Sequence, residues 1–79
     1  MTWRQIEKVI RGKFEVAVEA DYTHNKYWIR KTEPSGPVYY PISSLQFERL
    51  LENGYIDPDY RVEHGNGLYG ADQMIYEGR

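Results

Sequence analysis

The sequence predicts an α+β fold: a helix, a three-stranded antiparallel meander, a second helix, and a C-terminal strand or hairpin, with both helices on one sheet face. Two capping boxes mark the helix starts, Thr2-Trp3-Arg4-Gln5 and Ser43-Ser44-Leu45-Gln46. Between them, Phe14, Val16, Val18 and Ala20 alternate with Glu15, Ala17, Glu19 and Asp21, the period of a half-buried strand.

In the first helix, expected over Trp3 to Arg11, Trp3, Ile6, Val9 and Ile10 share one face and Arg4, Lys8 and Arg11 the other, with Gly12 as the stop. Met1 and Ile6 are placed for a hydrophobic staple. After a polar loop at His24-Asn25, Tyr27 and Ile29 alternate with Trp28 and Arg30. Glu33-Pro34-Ser35-Gly36 is a turn with proline at its second position, and Val38-Tyr39-Tyr40 is a short third strand ended by Pro41. In the second helix Phe47, Leu50 and Leu51 form the buried stripe, Glu48, Arg49 and Glu52 the wet one, and Leu45 falls outside that stripe. Asn53-Gly54 followed by Pro58 is its exit. Tyr60 to His64 alternates as a strand, Gly65-Asn66-Gly67 is turn chemistry, and Asp72 to Glu77 is expected to close a hairpin.

With 79 residues, residues 1–79 form one small domain, and the absence of cysteine excludes a disulfide staple. The start Met1-Thr2-Trp3-Arg4-Gln5 lacks an apolar signal core and no run is long enough to cross a bilayer. A cytoplasmic protein without membrane contact is the expectation. The net charge of −2 conceals an asymmetry: residues 1–31 carry seven basic and four acidic side chains, the remainder three and eight. Such polarity suits steering toward a charged partner.

No catalytic, metal or cofactor constellation emerges, and a non-enzymatic role is expected. Gly65-Asn66-Gly67-Leu68-Tyr69-Gly70 matches the dinucleotide fingerprint in letters. The residues after Gly70 do not hold the helix, second strand and distant acidic residue that motif requires. His24 and His64 lack the local spacing of a zinc site, and Asp57 and Asp59 flank Pro58 in a solvated turn.

Ten residues are Tyr or Trp, and they fall on both alternation faces. If Phe14, Val16, Val18, Tyr27, Ile29, Val38 and Tyr40 face the helices, then Glu15, Ala17, Glu19, Trp28, Arg30 and Tyr39 face away. Either that face stays open, as an interface with Trp28 and Tyr39 at its centre and Arg30 at its rim, or residues 60–77 fold over it.

The resulting expectation is a module binding a larger protein or nucleoprotein complex by surface blocking. Size and style suit phage or mobile-element accessory proteins, including inhibitors of host machinery such as anti-CRISPR proteins, and suit a bacterial adaptor subunit equally. In a narrower version Glu48, Glu52, Asp57, Asp59 and Glu63 imitate phosphates in a basic channel. The alternative is a small nucleic-acid-binding domain using Arg4, Lys8 and Arg11. The order helix, three strands, helix resembles double-stranded-RNA-binding domains in element order alone. That family's second helix opens on a lysine-rich cluster, where this chain has Ser43-Ser44-Leu45-Gln46-Phe47-Glu48, and the acidic pI near 5.6 opposes strong nucleic-acid affinity. A homodimer closed by an open sheet face or an edge strand is the third expectation.

Overall fold

In the computed structural model, which describes residues 1–79, Thr2 and Ser43 cap the two helices as the sequence predicts. The Gln5 amide N–H donates to Thr2 Oγ1 (3.2 Å) while the Thr2 amide donates to Gln5 Oε1 (2.8 Å), opening α1 (Trp3–Val9). The same reciprocal pair between Ser43 and Gln46 opens α2 (Ser44–Glu52). The Gln46 side chain also donates to the Met1 carbonyl, tying the two helix starts together. α1 ends two residues short of Arg11, where Ile10 leaves helical geometry, and Gly12 follows with φ of +80°.

Five strands form one antiparallel sheet: β1 (Glu15–Ala20), β2 (Asn25–Glu33), β3 (Gly36–Ile42), β4 (Arg61–Glu63) and β5 (Gln73–Glu77), in the order β3-β2-β1-β5-β4. The C-terminal pair is the expected hairpin, and it extends the sheet from β1 to five strands. β3 is longer than Val38-Tyr39-Tyr40 because it admits Pro37 and Pro41 as residues of an edge strand, where a missing amide hydrogen costs no ladder bond.

Register fixes the two faces. Val16 lies opposite Ile29 and Tyr76, and Val18 opposite Tyr27 and Met74. These side chains join Ile6 of α1 and Leu50 of α2, with Phe14, Ile42 and Ile56, in or against one apolar core. Burial of each fully enclosed member, such as Ile6, Ile29 or Leu50, contributes about 1.5–3 kcal/mol. Leu45, off the α2 stripe, is 75% exposed.

On the other face Glu15, Ala17 and Glu19 lie opposite Arg30, Trp28 and Lys26 on one side and Glu77, Ile75 and Gln73 on the other. Ala17, Glu19, Trp28, Gln73 and Ile75 are buried here too. β1, at the centre of the sheet, is therefore covered on both sides.

Candidate functional site

Two different devices cover the outer face. At one end is an ion-pair network. Arg30 donates to Glu15 Oε1 through Nε (3.0 Å) and Nη2 (2.8 Å), and to both Glu63 oxygens at 3.1 Å. Arg61 Nη2 reaches Glu15 Oε2 (2.7 Å) and Glu63 Oε2 (3.0 Å), and its Nη1 pairs with Glu77. Arg30 of β2 and Glu63 of β4 thus reach toward each other across β1 and β5.

Titration behaviour follows from these contacts. Burial pushes the Glu15 carboxyl up, but hydrogen bonds from Arg61 and Arg30 outweigh it and hold the group below its usual range. The Glu63 carboxyl is lowered chiefly by the hydrogen bonds from Arg30. Both guanidinium groups are held more firmly protonated, Arg30 mainly by Glu63 and Arg61 mainly by Glu15.

At the other end the Gly65–Gly70 loop lies over the sheet. Its approach is so close that a Cβ on Gly67 would sit 2.0 Å from Glu19 Oε1 and 2.6 Å from the Ala71 carbonyl oxygen. Glycine at 67 is a requirement of space. The Tyr69 amide donates to Glu19 Oε2 (3.3 Å) and the Gln73 side-chain amide to Glu19 Oε1 (3.4 Å).

The loop thereby seats the Tyr69 ring beside Trp28, with centroids 6.5 Å apart, while Tyr39 meets Trp28 edge-on at 6.3 Å. Trp28 is only 8% exposed and Tyr39 half-buried. Alternation correctly turns Trp28 away from the core, but the ring is a covered floor, where an open face would have made it an exposed centre. Tyr69 is 69% exposed, with Lys26 Nζ 4.8 Å from its ring centroid. Trp28, Tyr69, Lys26, His24, Pro41 and Ser43 line a shallow depression of about 660 Å³.

The remaining residues singled out by sequence divide in three. Glu63 and Arg30 are committed to each other, so Glu63 does not stand free as a phosphate mimic and Arg30 is no loose rim charge. Glu48, Glu52 and Asp59 are exposed and Asp57 half-buried, and none of the four enters an ion pair. Asp57 Oδ1 accepts from the Asp59 amide (2.9 Å) in the turn after α2. Arg4 and Lys8 are exposed on α1, while Arg11, expected on the same helix face, lies past the helix end; the three line a separate shallow depression with Glu7.

Tyr69 and Lys26 have no site role in the sequence reading, and Glu19, placed on the outer face by alternation, is buried there rather than exposed. A lone aromatic inside a glycine-rich loop was the available signal for Tyr69, since such loops rarely need a large ring for themselves.

No group of three or more His, Cys, Asp or Glu side chains is arranged to hold a metal ion. No helix is long and apolar enough to cross a membrane. What fold and site define is a small α+β domain with a structured aromatic depression. No family model matches the chain, and neither a curated protein nor a solved structure matches it.

Proposed function

We propose that the protein is a non-enzymatic, cytoplasmic protein-binding module that docks the Trp28–Tyr69 depression onto a larger protein or nucleoprotein complex and blocks it. The supporting observation is Tyr69, a largely exposed ring held by its own backbone bond to buried Glu19, by Trp28 beside it and by Lys26 against it. An aromatic anchor fixed before binding loses little entropy on docking. Tyr39 and the polar groups of His24 and Ser43 supply its rim.

The narrower form of this reading is an inhibitor of host machinery carried by a phage or mobile element, anti-CRISPR-like in acting by surface blocking. Small size, a cysteine-free composition and the acidic second half support it. Of the five acidic residues singled out by sequence, Glu48, Glu52, Asp57 and Asp59 have no cationic partner and would carry phosphate mimicry. Pull-down from host lysate tests the module: one partner retained by wild type and lost with Tyr69→Ala is the expected result. Equal retention by both chains refutes the site. Steep weakening of that complex with salt is expected of the phosphate-mimic form, and salt-independent affinity removes it.

A nucleic-acid reading is favoured by one observation, the exposed Arg4, Lys8 and Arg11, none of them in an ion pair, gathered around one depression at and just past α1. Replacing all three with glutamate should then abolish a gel shift of RNA or DNA. A wild-type chain that shifts neither at low salt ends this reading.

A further inference from the structure

The two edges of the sheet are unequal. On β3, Pro37 and Pro41 share one parity, and proline in a sheet occupies positions whose amide would point away from the neighbouring strand. The outward row of β3 thus lacks N–H groups at both. β4, the opposite edge, contains no proline. Of the backbone hydrogen bonds made outside the helix and strand ladders, none involves residues 60–64, so the outward groups of this edge have no partner within the chain.

The apolar layer also runs out at β4. Val62 lies opposite Met74, which packs against the core, and Tyr60 rests on Tyr76 with ring centroids 5.3 Å apart. Neither is covered from outside: Val62 is 45% and Tyr60 51% exposed.

We infer that β4 is the pairing edge for a second copy of this chain, joined antiparallel about a two-fold axis at Val62. The short sequence Arg61-Val62-Glu63 is complementary to itself when reversed. That register sets Arg61 against the partner's Glu63, Glu63 against the partner's Arg61, and Val62 against the partner's Val62. Opposite charges meet on the outer face and apolar groups on the helix-packed face. A strand of unrelated sequence gains the backbone bonds but not this double match, which is why a copy is the occupant. In the exchange each Glu63 keeps its bonds from Arg30 and trades its own Arg61 for the partner's, and Arg61 has room for this, since its side chain is nearly half exposed despite its bonds to Glu15, Glu63 and Glu77. The resulting ten-stranded sheet leaves the Trp28–Tyr69 depression clear, because β4 lies three strands from β2.

Sedimentation equilibrium over a wide concentration range tests this, read beside circular dichroism of each variant. Wild type should show a concentration-dependent dimer, and Val62→Lys should weaken it by about tenfold or more by setting like charges face to face, with the folded spectrum kept. Arg61→Glu and Glu63→Arg should each favour monomer alone and form a mixed dimer when combined, since the charges then match across the axis. A wild-type chain that stays monomeric into the millimolar range overturns the inference, as does a dimer indifferent to Val62→Lys. Should either charge variant fail to fold, Val62→Lys decides, because its side chain is already half in solvent. Loss of partner binding by Tyr69→Ala with an intact dimer would separate this edge from the docking depression.

Discussion

The same strands present two faces that are sealed by opposite means. Toward the helices, Val16, Val18, Ile29 and Leu50 exclude water by apolar packing, with no charged side chain buried among them. On the outer side, Ala17, Trp28 and Ile75 are equally removed from solvent. There the cover is Arg30, Arg61 and three glutamates at one end and a glycine-tight loop at the other. Apolar packing tolerates any condition that preserves shape, whereas an ion-pair cover depends on protonation and a loop cover on one missing methyl group. The outer face is the conditional one, and the exposed aromatic sits on it.

Truncation of the core should give the largest effect. Ile29→Ala or Leu50→Ala, both at fully buried positions, should each lower stability by about 2–5 kcal/mol in urea unfolding. A smaller loss would show that the helix-side core collapses readily around a cavity.

Gly67→Ala comes next, at about 1–3 kcal/mol, because the added carbon collides with Glu19 and with the Ala71 backbone. Tyr69 should become more accessible to chemical iodination in this variant, while Gly54→Ala, which strains a left-handed backbone (φ +75°) but meets no neighbouring atom, should leave Tyr69 unchanged.

The ionic end should respond to acid. Glu15 and Glu63 have folded-state pKa values below the usual 4.5, so their contribution to stability is complete above that value and is lost as pH falls through the lowered ones. Arg30→Met should flatten this acid limb while lowering stability at neutral pH by about 1–2 kcal/mol, less than for a fully buried pair because water reaches the network. Urea midpoints at neutral pH and below pH 4.5 check both signs.

At the small end, Leu45→Ser should change stability by less than about 0.5 kcal/mol, since this leucine packs on neither face.

Much of this contrast was legible in the sequence, and unevenly so. The helix-side face was readable because local rules act over three or four residues: the Thr2 and Ser43 capping boxes and the misplaced Leu45 hold as read, and Phe14, Val16 and Val18 take the core side, although the strand is buried on both faces rather than half-buried and Ala20 is exposed. The parity of Trp28 was readable for the same reason. Its burial under residues 60–77 stood as an open alternative, because the cover comes from Tyr69, far along the chain, and depends on a close approach between Gly67 and Glu19 that no local pattern encodes. Arg30 with Glu15 was within reach, since both face outward on neighbouring strands. Their union with Glu63 and Arg61 needed the position of β4, and the packing of residues 55–79 was where periodicity ran out.

The prolines of β3 carry a consequence for growth. A sheet with two competent margins is a monomer in the polymer chemist's sense, and its association propagates into fibres. This sheet has one margin blunted by two missing amides, and if β4 pairs as inferred, joining through it stops at two. Restoring the missing amides with Pro37→Val and Pro41→Val would make the unit bifunctional, and the same strand chemistry that now terminates would then be free to elongate.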